Sequence, residues 1–144
     1  MNDIIITILS FLIGGVLGGF VQALYNYKKE ILSIIWTKRF EEYKVVWELT
    51  GVLPKYPEDR DIRYTDIYST CLQLKNWYFK SGGIILSKKS RIAYENLQKT
   101  LYAISNKQTG EKLTPDDYSN LRAIFSLFRA ELTSDLTSRN KSLL

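Results

Sequence analysis

The residues best placed to do chemistry lie between positions 75 and 91, KNWYFKSGGIILSKKSR. Five of these are basic (Lys75, Lys80, Lys88, Lys89 and Arg91), none is acidic, and Trp77, Tyr78 and Phe79 stand among them. The stretch joins a Gly-Gly turn to Ser87, a residue type that caps helix N-termini. Free N–H groups at such a terminus attract anions, lysines add charge, and an exposed ring stacks on a base. Lys75, Trp77, Tyr78, Lys80, Ser87, Lys88, Lys89 and Arg91 therefore form a candidate site for a nucleotide or another anionic ligand. The plainer reading is a solvated corner between helices with its aromatics in the core, since the spacing matches no phosphate loop. If the corner faces a membrane, the same lysines meet anionic headgroups.

Other constellations are poor. The chain has no histidine, which excludes a Ser-His-Asp triad, a Cys-His dyad and a histidine-ligated metal. Cys71 is the single cysteine, so no internal disulfide or cysteine zinc site forms, and a lone thiol fits a reducing compartment. Glu41-Glu42 and Asp116-Asp117 are adjacent pairs, which do not face each other on a helix. The acids Glu58, Asp59 and Asp61 lack the spacing of a calcium loop and read as a solvated linker. No catalytic residue, metal ligand or cofactor is assigned, and the expectation is a non-enzymatic protein.

Positioning these residues falls to two very different regions. Residues 4–24 read IIITILSFLIGGVLGGFVQAL, 21 residues without a charge. As a helix they would measure about 31 Å, matching a hydrocarbon core of about 30 Å. Tyr25 and Tyr27 follow where an interfacial aromatic belt is expected, then Lys28 and Lys29. A buried core helix is the competing interpretation, but a small domain seldom contains so long an uncharged run. A signal peptide is disfavoured by its Met-Asn-Asp start, acidic where such a peptide is basic, although Val21-Gln22-Ala23 resembles a cleavage site. The expectation is an uncleaved anchor comprising residues 1–27. Lys28, Lys29, Lys38 and Arg39 follow the span and no Lys or Arg precedes it. The positive-inside rule then places the N-terminus outside and residues 28–144 in the cytoplasm.

Within the span, Ser10, Gly14 and Gly18 recur at four-residue spacing, and Gly15 with Gly19 makes a second small-residue pair. Such faces let helix backbones approach closely, which predicts a homo-oligomer held through the membrane helix. Gln22 offers an interhelical hydrogen bond, and the absence of ionisable groups argues against a charged pore lining.

The remaining 120 residues suffice for one hydrophobic core. Between Tyr27 and Thr50 there is neither proline nor glycine, and Trp36, Phe40, Tyr43 and Trp47 recur at helical spacing, predicting a core face. Gly51, Pro54 and Pro57 end that helix and open a loop. A second helix is predicted over 65–80, starting at Thr65 or Asp66, carrying Ile67, Leu74, Trp77 and Tyr78, and ended by Ser81-Gly82-Gly83. Ile84-Ile85-Leu86 reads as a buried connector. A third helix runs from Ser87 to about Ser105 with Ile92, Leu97, Leu101 and Ile104 inward. After a polar loop over 106–113, Thr114-Pro115-Asp116-Asp117 starts the last helix: a threonine cap, proline at the first helical position, and acids on the positive end of the dipole. That helix carries Tyr118, Leu121, Phe125, Phe128 and Leu132 and frays after Leu136. The fold class is all-α, a membrane helix continuing into a soluble up-and-down bundle of about four helices.

Three stretches carry a resemblance: RFEEYKVVWELTGVLPKYP from Arg39, WYFKSGGIILS from Trp77 and RIAYENL from Arg91. They resemble uncharacterised bacterial single-pass membrane proteins in which an aromatic-rich helix, a tryptophan-containing GG corner and a serine-capped helix follow an N-terminal anchor. The resemblance covers about half the chain; it implies a helical domain and no assigned activity. In layout alone the chain is similar to small membrane effectors of bacterial antiviral systems, which join a membrane segment to a cytosolic nucleotide-sensing module. Two functions are thus expected in turn. One is a membrane-anchored sensor or effector that binds a nucleotide-like ligand or partner and self-associates. The other is a scaffold or accessory subunit docking another protein through an exposed aromatic face that includes Trp36 or Trp47.

Overall fold

The computed structural model describes residues 2–59, 61–106 and 110–137, and for residues 2–13 the backbone alone. The architecture is all-helical: α1 (Asn2–Leu49), α2 (Tyr64–Trp77), the single turn α3 (Gly83–Ile85), α4 (Lys88–Ser105) and α5 (Pro115–Thr137). Among the described residues there is no strand, only an isolated bridge between Arg63 and Lys112. The chain divides into two units, Met1–Thr37 and Lys38–Leu144, and α1 contributes residues to both.

The first unit is helix alone. From Val16 to Ile35 its large apolar side chains are exposed, and a Cβ added at Gly14, Gly15, Gly18 or Gly19 would meet nothing within 4 Å. Of the expected membrane segment, the side chains of residues 4–13, Ser10 included, lie outside the described residues. Among the described residues no helix is long and apolar enough to cross a membrane.

The second unit has one core, built at spacings of three and four residues. Helix α2 contributes Tyr64, Ile67, Cys71, Leu74 and Trp77; α4 contributes Tyr94, Leu97, Leu101 and Ile104. From α5 come Tyr118, Leu121, Phe125, Phe128 and Leu132, while α1 adds Tyr43 and Val46. This spacing keeps one stripe per helix facing its neighbours. Local signals set the helix starts. Asp66 accepts the backbone N–H of Arg63 at 2.8 Å, Ser87 Oγ accepts that of Ser90 at 3.2 Å, and Thr114 Oγ accepts that of Asp117 at 3.2 Å.

Four expectations need correction. The aromatic stripe of α1 is not a uniform core face: Tyr43 is buried, Trp36 is partly covered, and Phe40 and Trp47 are exposed, because Tyr43 and Val46 already fill the seam against the bundle. On α4, Tyr94 takes the inward position expected of Ile92, which faces solvent. The Gly-Gly pair does not end the second helix. The chain widens into a π-turn over Tyr78–Gly82 and then makes α3. Gly82 is needed for close approach, since a Cβ there would stand 2.5 Å from the Trp77 ring. Finally, the connector after it is buried only at Leu86; Ile85 is half-buried and Ile84 is 87% exposed.

Candidate functional site

In the corner over 75–91, Trp77, Ser81, Ser87 and Ser90 donate to the chain's own carboxylates. Asp135, near the end of α5, sits against the N-terminus of α4. Its Oδ2 accepts Ser90 Oγ at 2.7 Å, Tyr43 Oη at 2.9 Å and the Ser87 backbone N–H at 3.3 Å. This is the arrangement expected of an anion at a helix N-terminus, supplied here from within the protein. On the other side, Glu42 of α1 accepts Trp77 Nε1 at 3.2 Å and the Ser81 hydroxyl, and pairs with Lys38 at 3.3 Å. The Ser81 bond outweighs burial and, with the Lys38 ammonium and the Trp77 bond, holds the Glu42 carboxyl below the usual range. Burial first, then the Asp135 charge, pushes the Tyr43 phenol well above its ordinary range.

Backbone carbonyls of the corner are also engaged. Arg39 Nε donates to Ile85 O at 2.8 Å, and Arg91 donates to Gly83 O at 2.9 Å. Among the described residues, no buried side-chain nitrogen or oxygen lacks a hydrogen-bond partner.

The sequence-derived site residues therefore separate. Trp77 is a core residue, and Tyr78 is half-buried, stacked on Tyr94 with centroids 4.4 Å apart and rings 6° from parallel. Trp77 offers no free face for a base and one face of Tyr78 is taken, whereas Phe79 is the exposed ring of the corner. Ser87 is spent on capping α4. Lys75, Lys80, Lys88 and Lys89 are exposed, and Arg91 is exposed while braced on Gly83. Lys75 belongs to a shallow cleft of about 400 Å³ between α2 and α4, with Tyr68, Cys71, Leu72, Gln98, Lys99 and Tyr102. Cys71 there donates to Gln98 Oε1 at 3.1 Å, and burial pushes its thiol up, which removes the thiolate a nucleophile requires.

Of two further features, the first escaped sequence reasoning and the second was anticipated there only as an exposed aromatic face. The acceptors Glu42 and Asp135 lie 39 residues from Ser81 and 45 from Ser90, respectively. An open apolar groove of about 300 Å³ runs between α1 and α5, lined by Phe40, Tyr43, Lys44, Trp47, Glu48, Leu132, Thr133 and Leu136. Trp47 and Phe40 are 51% and 46% exposed there, and the Arg129 guanidinium lies 5.5 Å from the Trp47 ring centroid while donating to Thr50 O at 2.9 Å. The signal available in the sequence was an aromatic stripe richer than a single seam can bury.

A second cleft of about 290 Å³ opens at the start of α5, where Arg122 approaches Glu58 at 3.6 Å. Among the described residues, no cluster of acids, cysteines or histidines has the form of a metal site. No protein-family model, no curated protein and no solved structure matches the chain.

Proposed function

We propose that this is a non-enzymatic protein held in the bacterial inner membrane by residues 4–24, N-terminus outside. Its cytoplasmic helical domain recruits a protein partner, and its membrane helix associates with copies of itself. The single observation that carries recruitment is the α1/α5 groove, where the rings of Phe40 and Trp47 are about half open to solvent beside the apolar side chains of Leu132 and Leu136. Apolar surface of this kind costs solubility and is retained where another surface covers it. The occupant that fits is an amphipathic helix of another protein, its apolar residues between Trp47 and Leu136 and a carboxylate against Lys44. The anchor is supported by the 21-residue uncharged run and the basic residues that follow it.

A photo-crosslinking residue at position 47, compared with one at the exposed position 92, tests the groove in cells. A discrete adduct at 47, absent at 92 and lost with Phe40→Glu, supports recruitment; the same adducts at both positions sink it. Alkaline washing of membranes tests the anchor: the chain stays with the lipid if residues 4–24 span it.

A second reading is a sensor or effector of the kind found in bacterial antiviral systems, with a nucleotide-like anion resting on Lys75, Lys80, Lys88 and Lys89. What favours it is the exposure of those ammonium groups. Such a ligand would lie on the surface, since Asp135 holds the N-terminus of α4. Titrating the full chain with a panel of mono- and cyclic dinucleotides should then raise its melting temperature, and Lys88→Glu/Lys89→Glu should abolish the shift. A panel without effect removes this reading.

A further inference from the structure

We infer that residues 31–36 of α1, just past the proposed anchor, form the water-exposed part of an interface among more than two parallel copies of this chain. The inference rests on the membrane reading above and extends it beyond the bilayer.

Ile31, Leu32, Ile34 and Ile35 are between 38% and 62% exposed, and they belong to the unit Met1–Thr37, which the bundle core does not include. Lipid does not reach them. Helix α1 runs unbroken through this stretch, so Ile31 stands about 10 Å and Trp36 about 18 Å past Leu24 along the axis. The headgroup layer adds only about 5–8 Å beyond the hydrocarbon on each side. The charged turn Lys28-Lys29-Glu30 marks the crossing into water.

The occupant follows from the pattern. At 100° per residue, the exposed Ile34, Ile31, Ile35 and Leu32 sweep an arc of about 160°, with the half-buried Trp36 at its edge, and Glu30, Ser33 and Thr37 share the remaining side. A two-stranded coil buries a narrow seam, so an arc this wide calls for neighbours on two sides. Two lines with alternating steps of three and four run back from it. Ile35 and Leu32 continue through Lys28, Tyr25 and Val21 to Gly18 and Gly14. Ile34 and Ile31 continue through Tyr27, Leu24 and Phe20 to Leu17. The first line carries bulky side chains down to Val21 and ends at Gly18 and Gly14, with open space beside them, whereas the second is bulky throughout. Packing Leu17 and Phe20 of one helix over Gly14 and Gly18 of the next, with the apolar side chains of 31–35 meeting farther along, is a head-to-tail contact, the kind that forms a ring where its rotation closes. A bilayer sets such copies parallel and in register, as a repeat of 3.5 residues needs. The lines end at Lys38 and Arg39, which turn to Glu42 and Ile85 instead.

The test uses the full chain in mild detergent, with mass measured by native mass spectrometry. Wild type should run as one oligomer of more than two copies. Leu32→Glu/Ile35→Glu and Ile31→Glu/Ile34→Glu should each lose it, with membrane retention and domain melting temperature unchanged. A monomeric or dimeric wild type, or an oligomer that survives both acidic pairs, overturns the inference and leaves the anchor intact. Release of wild type by alkaline washing overturns the anchor itself.

Discussion

Two stretches of the same helix use apolar residues in opposite ways. Over residues 14–36 of α1 the large side chains face outward on nearly every side, and the glycines border open space. Over 38–49 one seam is buried, through Tyr43 and Val46, and the exposed remainder mixes the charged residues Lys38, Glu41, Lys44 and Glu48 with Phe40, Val45 and Trp47. The first contributes no side chain to the domain core; the second turns Tyr43 and Val46 into it. Glycine repeats the contrast. At 14, 15, 18 and 19 its lack of a side chain leaves a groove, whereas at 82 it makes room for the Trp77 ring. Neither apolar content nor glycine content names a role until the surrounding atoms are known.

The sharpest way to break this comparison is to truncate one ring on each side of it. Phe128 is fully buried, 6.0 Å from Tyr94 between ring centroids, so Phe128→Ala should cost about 3–5 kcal/mol in denaturant unfolding of the domain. Phe20→Ala should leave the same unfolding curve in place. Equal losses would mean that the exposed stretch belongs to the domain core.

Glycine gives the next contrast. Gly82→Ala forces a Cβ against Trp77 and should destabilise the domain by about 1–3 kcal/mol, whereas Gly14→Ala should not move its melting temperature. A neutral Gly82→Ala would show that the π-turn relaxes freely.

The pH dependence is a smaller effect. The folded state raises the phenol pKa of Tyr43 through burial and Asp135, and that of Tyr94 through burial. Both contributions are complete below the unfolded tyrosine value of about 10 and are lost as pH rises above it, because only the unfolded chain then releases the proton readily. Thermal melts between about pH 9 and 11 should show this decline, and Tyr43→Phe should shrink it. A decline of full size in Tyr43→Phe would assign it to other groups.

Trp47→Ala should have the least effect on folding, below about 1 kcal/mol, since the ring is half exposed and mainly faces Arg129. Its recruitment phenotype should nevertheless be complete. A large loss of stability would make the groove part of the core and would count against docking there.

How legible the fold was varied with the range of the force involved. The start of α5 at Thr114-Pro115 and the cap at Ser87 follow from backbone N–H groups that need an acceptor within three residues, so composition alone reveals them. The inward stripe of α5 is readable because Tyr118, Leu121, Phe125, Phe128 and Leu132 recur at steps of three and four, with only Ile124 and Leu127 as bulky apolar residues off it. On α1 the stripe was ambiguous, because Phe40, Tyr43 and Trp47 are all aromatic and only the neighbouring helices decide which is covered. The corner over 75–91 looked electropositive because its carboxylates come from α1 and α5, remote in sequence.

By itself, then, the sequence determined an all-helical chain, the starts of α4 and α5, the lack of histidine chemistry, and an uncharged apolar run followed by basic residues. These depend on short-range hydrogen bonding, on composition and on solvation of contiguous side chains. Only the tertiary structure decided that Asp135 fills the N-terminus of α4, that Gly82 carries the helix past Trp77, and that Trp47 stays open beside Leu132 and Leu136. Each of these depends on space and charge set by packed side chains, and for Asp135 and Trp47 the segments are tens of residues apart. No local pattern encodes which of several equivalent partners arrives.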